Sequence, residues 1–197
     1  MVYNYIKEKI MINKFTLSRN TNVNFVKQNL EEYIENNMYL STYEDDDPLK
    51  QKAYDNFKKA YDFILNNPDV VNDYKCLLTL HTILMDGLDD GVKSELSETQ
   101  IEELSKMINQ PTKGNTEVSI DVMLFILDKR LFTDGDVRAA LLFANKIMID
   151  RGNGFITIAK QHKDTFREKL KEYKTNNNYE IKDWIYKYCI KGPKLDY

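Results

Sequence analysis

The stretch VSIDVMLFILDKRLFTDGDVRAALLFANKIMID, residues 118–150, decides the fold. Residues 118–127 are apolar on almost every helical face, as in a helix buried all round. Residues 129–138 are charged and hold one glycine, Gly135. From Ala139 the chain is strongly apolar again, until Gly152-Asn153-Gly154 stops it. The pattern predicts a buried helix, a short charged loop and a second buried helix. A loop that feeds a helix N-terminus can make an anion site, because the first-turn N–H groups lack partners and the helix dipole favours negative charge. Arg138 at the start of that helix would add a charge-assisted contact to a phosphate. Asp134, four residues earlier, would hold a divalent cation between itself and that phosphate. Helix caps use the same residue types, so the spacing alone leaves a plain cap as the alternative.

The rest of the chain reads as further helices. Val23, Val26, Leu30, Tyr33, Ile34 and Met38 recur at helical spacing over 22–40, before an acidic run at 44–47 and Pro48. Ala53, Phe57, Ala60 and Ile64 mark a second helix, stopped by Asn66-Asn67-Pro68. Asp69 or Asn72 is the expected cap of a third, with Leu77, Leu80, His81, Leu84 and Leu88 as its stripe up to a turn at 89–91. Ser97 opens a fourth carrying Ile101, Leu104 and Ile108. Residues 112–115 read as an exposed loop or short hairpin. A helix is expected around 165–173, and another after 176–178 with Ile181, Trp184, Ile185 and Tyr188 at i, i+3, i+4, i+7. Asparagine and lysine are abundant as a diffuse bias, and no internal repeat is present.

Composition bounds the function. The chain has 197 residues with 42% hydrophobic and 12% aromatic content, which excludes general disorder and allows a sizeable core. Seven Gly and four Pro are too few for a turn-rich β architecture, so the expected class is all-α. One domain over 1–197 is expected, with N-terminal helices in 1–68, a core in 69–190 and a tail in 191–197. The 28 basic and 31 acidic residues give a net charge of -3, so no global field favours a nucleic acid. The longest apolar runs, 122–127 and 139–144, are too short to cross a bilayer, so no membrane association is expected. Residues 1–10 lack a continuous apolar h-region, and Met11 offers a second start. Cys76 and Cys189 match no metal spacing and read as small core residues. A cytoplasmic location follows, although an effector delivered by a secretion machine would look the same.

Arg130-Leu131-Phe132-Thr133-Asp134-Gly135-Asp136-Val137-Arg138, followed by Ala139-Ala140-Leu141, resembles the Fic (Fido) signature H-P-F-x-D/E-G-N-G-R-x-x-R. The resemblance extends to the helix with Leu80-His81 and Gly87 upstream and to residues 146–158 downstream, covering about 70–190. It implies a mostly helical core with a central helix–loop–helix and a small flap, placed here at 112–115, where a target chain docks. The family typically transfers AMP from ATP to a protein hydroxyl, and relatives transfer other phosphate-containing groups. A Mg2+ ion and a nucleotide are implied by the resemblance alone.

Carried over position by position, the family's metal-binding acid matches Asp134, its packing phenylalanine Phe132, its first glycine Gly135 and its first phosphate-contacting arginine Arg138. Four positions depart. The general-base histidine matches Arg130, and a guanidinium stays protonated and cannot take a proton from an attacking hydroxyl. The asparagine matches Asp136, which sets a carboxylate where an amide would face a phosphate. The second glycine matches Val137, and the second arginine matches Leu141. Asp136 has two readings: a substitute base beside Asp134, or the cap of a helix beginning at Val137. His81 reads as a structural histidine on an apolar face, and His162 as a surface residue. Ser94 to Glu98 has the spacing of the family's inhibitory S/T-x-x-x-E-G/N helix but is followed by Thr99, so no clean copy exists. The expected function is that of a pseudoenzyme, a protein-binding or regulatory module that does not AMPylate. The alternative is a divergent transferase moving AMP, another phosphate-linked group or a glycosyl group onto a protein hydroxyl.

Overall fold

The computed structural model describes residues 11–40, 47–88 and 95–194. The expectations for residues 1–10, for most of the acidic run at 44–47, for the 89–91 turn and for Ser94 lie outside the described residues.

The chain forms helices α1 (Arg19–Asn37), α2 (Lys50–Asn66), α3 (Tyr74–Met85), α4 (Glu98–Ile108), α5 (Asn115–Lys129), α6 (Asp136–Asp150), α7 (Lys163–Asn176) and α8 (Glu180–Tyr188), with short 3-10 turns at Met38–Leu40 and Lys160–His162. Two short strands, β1 (Phe155–Ile156) and β2 (Ile190–Lys191), pair antiparallel with Phe155 opposite Lys191. The all-α expectation holds. No helix among the described residues is long and apolar enough to cross a membrane.

Helix α6 is the axis of the molecule. Every residue from Arg138 to Ile149 is buried, and α1, α2, α3, α5 and β1 all pack on it. Ala139, Ala140 and Ala144 are fully buried, and their small side chains let neighbouring helices approach closely. One apolar cluster extends through the molecule from Val23 in α1 to Ile190 in β2.

Several helix starts follow the expected chemistry. Ser97 caps α4 with a full capping box, its hydroxyl accepting from Gln100 N–H while the Gln100 side chain returns to the Ser97 backbone. Helix α3 corrects its expectation, because the cap is Asp73 rather than Asp69 or Asn72; its carboxylate accepts from Cys76 N–H at 3.0 Å. Residues 112–115 form a turn leading into α5 and no hairpin. Thr116 N–H is held by Asn13 Oδ1 at 3.0 Å, and Lys113 pairs with Glu117 and Asp121. These contacts start the helix at Asn115 and leave no room for a strand.

Buried asparagines join the elements. Asn145 in α6 clamps β1, donating to Ile156 C=O at 2.8 Å and accepting from Ile156 N–H at 2.7 Å. Asn37 accepts from Ile158 N–H at 3.0 Å, and Asn22 donates to Met148 and Gly154 carbonyls. At Gly152, φ is +67° and a Cβ would lie 1.9 Å from Leu17 O, so only glycine lets residues 15–17 pass. Cys76 and Cys189 are free and buried, and burial pushes their thiols up to about 11 and about 12. They are inert core residues, as expected.

Candidate functional site

The loop between α5 and α6 begins at Arg130, which ends α5 in the left-handed region with φ +47°. The side chain there is solvent-exposed. Leu131 and Phe132 then turn inward and are buried, which anchors the loop. The Phe132 ring stacks on His81 of α3, with centroids 3.8 Å apart and planes 8° from parallel. His81 Nε2 lies 2.9 Å from the Asp134 carbonyl oxygen. A carbonyl only accepts, so Nε2 carries a proton and donates. His81 is thus a structural histidine that fixes the loop from outside.

Gly135 adopts φ +74°, and a Cβ there would come within 2.8 Å of Met85 Sδ and 3.5 Å of His81 Nε2. A side chain at this position would have to push the Met85 thioether aside and sit in a strained left-handed backbone. Helix α6 starts at Asp136 with Gly135 as its cap residue and no side-chain cap bond. That corrects the expected cap. The Asp136 carboxylate instead reaches back and accepts from Phe132 N–H at 2.9 Å. The Asp134 carboxylate accepts from Gly135 N–H at 2.6 Å. Two loop amides, those of Phe132 and Gly135, are therefore bonded to the loop's own carboxylates.

Burial raises the Asp136 carboxyl to about 6, against the pull of the Phe132 N–H and of the Lys174 and Arg130 cations, with Asp134 adding repulsion. Lys174, from the last turn of α7, has its own pKa lowered by burial and then by nearby Arg130. No local sequence signal marks Lys174, because it meets the loop only through the docking of α7. Arg138 is 1% exposed and places Nη2 3.8 Å from Met85 Sδ, so it lies inside the protein rather than at the mouth of the loop. Leu141 is also in the core. The structure thus gathers Phe132, Asp134, Gly135 and Asp136 against His81 and Met85, leaves Arg130 on the outside and sets Arg138 behind. His162 corrects its expectation: it is half-buried, edge-on to Trp184 with centroids 5.6 Å apart.

No protein-family model and no curated protein matches this sequence. Among solved structures, the chain is similar to Fic-1 (aa134 - 508) from C. elegans, with a TM-score of 0.67 and 13% identity over 85% of this chain. It spans 62% of that chain's length. At this identity the likeness shows the fold, a Fic-like all-α fold.

Proposed function

We propose that this chain is a Fic-like protein that does not AMPylate, a pseudoenzyme serving in the cytoplasm as a binding or regulatory module for a protein partner. The observation that carries this reading is the self-bonded loop. Gly135 N–H goes to Asp134 and Phe132 N–H goes to Asp136, so a phosphate at the start of α6 would meet two carboxylates already fixed on the loop. Two fixed carboxylates repel the incoming anion. The family's base position holds an exposed, permanently charged guanidinium, Arg130, and its second clamp position holds a core leucine, Leu141.

Magnesium fits this loop poorly. Asp134 is one carboxylate with an oxygen already engaged, and the described residues hold no group of three His, Cys, Asp or Glu side chains fit for a metal. Mg2+ bound through one protein carboxylate depends on ligand phosphates for the rest of its shell, and the two carboxylates fixed on this loop repel those phosphates.

Calorimetric titration with ATP and Mg2+ tests the reading. The expected result is no saturable binding by the natural chain and measurable binding by the triple variant Arg130→His, Asp136→Asn, Val137→Gly. Saturable binding by the natural chain, lost in Asp134→Ala, would overturn it. A second reading, the divergent transferase, draws on Asp134 and Asp136 standing as two half-buried carboxylates beside a retained Gly135. It predicts a mass adduct on a target protein when the chain is supplied with nucleoside triphosphates, nucleotide sugars or CDP-alcohols.

A further inference from the structure

A second polar region lies at the opposite end of α6. A cleft of about 400 Å3 opens there between the start of α1, the connector at 68–72, the last turn of α4 and the C-terminus of α6. Its floor is cationic. Asp150, 13% exposed, accepts from Arg19 Nε at 3.2 Å, from Asn72 Nδ2 at 3.1 Å and from the fully buried Lys146. One carboxylate already faces two cations.

Arg151 adds a third and makes no ion pair among the described residues. Its Nη1 donates to Asn115 Oδ1 at 2.9 Å and its Nη2 to the Ile108 carbonyl at 3.4 Å, both neutral acceptors. Burial lowers its pKa, only partly offset by Asp150. Burying a guanidinium is costly, and Asp150, already shared with Arg19 and Lys146, offsets only part of that cost. The dipole at the C-terminus of α6 supplies only a fraction of a negative charge, about half. Asp69 stands at the rim, exposed to solvent, where its field is screened. On the same wall, Asn72 donates Nδ2 to Asp150 and keeps its Oδ1 buried.

We propose that this cleft binds a small phosphate-bearing molecule, its oxyanion held by Arg151 and Arg19 and its body lying between Val71 and Ile108. A dianionic phosphate neutralises the surplus positive charge, and guanidinium groups match its oxygens in geometry as well as charge. The site is separate from the α5–α6 loop and does not rest on what that loop does.

The test is an amide and guanidinium NMR titration of the full chain with inorganic phosphate, glycerol phosphate and acetate at constant ionic strength. The expected result is saturable movement of the 70–72, 109 and 151 signals, and of Arg151 Nε–H, by roughly ten millimolar phosphate. Glycerol phosphate should bind more tightly than free phosphate, because its carbon body packs against Val71 and Ile108. In Arg151→Lys, phosphate affinity should fall about tenfold as the fork geometry is lost. Three results would overturn the proposal: no saturable movement in the natural chain, movement centred on 132–136 instead, or acetate binding as tightly as phosphate. The mapping on the natural chain stands even if the variant folds poorly.

Discussion

The two ends of α6 are satisfied in opposite ways. At the N-terminal end the bonds are local: Asp134 and Asp136 accept from amides one and four residues away, and the loop leans on α3 through one ring stack and one carbonyl. At the C-terminal end the partners come from far along the chain. Asp150 gathers Arg19 and Asn72, the Gly152 carbonyl accepts from Leu17 N–H, and Asn153 holds the Phe15 carbonyl. Asp136 in the first turn suits the dipole of the helix, whereas Asp150 at its last residue opposes it and depends on Arg19 and Lys146. Local satisfaction lets a loop hold its shape with little help from the fold, whereas a long-range knot ties the fold itself. The C-terminal end should therefore govern stability, and the loop end should be free to change chemistry.

The sharpest way to break that contrast is Asp150→Ala. It strands Lys146, whose side chain is fully buried, and should cost about 3–5 kcal/mol in urea denaturation, the usual penalty for removing one partner of a buried pair. A loss below ~1 kcal/mol would mean that the Val70 carbonyl, 2.9 Å from Lys146 Nζ, is partner enough. Next comes a matched pair of glycine variants. Gly152→Ala meets the Leu17 backbone at 1.9 Å and should destabilise by about 3 kcal/mol, while Gly135→Ala meets only the flexible Met85 thioether and should cost about 1–2 kcal/mol. Reversal of that order would refute the assignment of stability to the C-terminal end.

The smallest effect is in pH. Asp136 has a folded pKa near 6, above its ordinary value of 3.8, so the native state binds the extra proton between the two. Stability linked to this group is therefore fully present below about pH 4 and lost as pH rises through 6. Because the carboxyl is only half-buried, solvent screening reduces the change to about 1 kcal/mol. Asp136→Asn should flatten this part of the profile, measured as thermal midpoints from pH 4 to 7. An unchanged slope would show that the loop carboxylate is ordinary.

Helix identity was legible because it is written in spacing. Val118 to Leu127 and Ala139 to Asp150 announce buried helices by their all-round apolarity, and Ser97 with Gln100 announces a start. The site was legible only in outline. Asp136 has the composition of a cap, but its carboxylate turned backward, since the left-handed Gly135 opens the helix without side-chain help. The proximity of Lys174 to Asp136, and the closure of 15–17 on Gly152, depend on packing between distant segments and leave no periodic trace. The asparagine bias hid its own meaning. Asn22, Asn37, Asn145 and Asn153 are spread along the chain, yet each is buried and bonded to backbone of another segment.

Asn153 is followed by Gly154, the neighbour that least hinders a backbone amide from attacking an asparagine side chain to form a cyclic imide. In the fold that reaction is blocked: Asn153 is 1% exposed, its side-chain amide is tied to Phe15 C=O at 2.8 Å, and Gly154 is held at φ +87°. Chemical ageing of this turn can then proceed only while it is open. The rate at which the protein accumulates isoaspartate at this one peptide bond becomes a slow clock for how often the N-terminal segment lets go of α6.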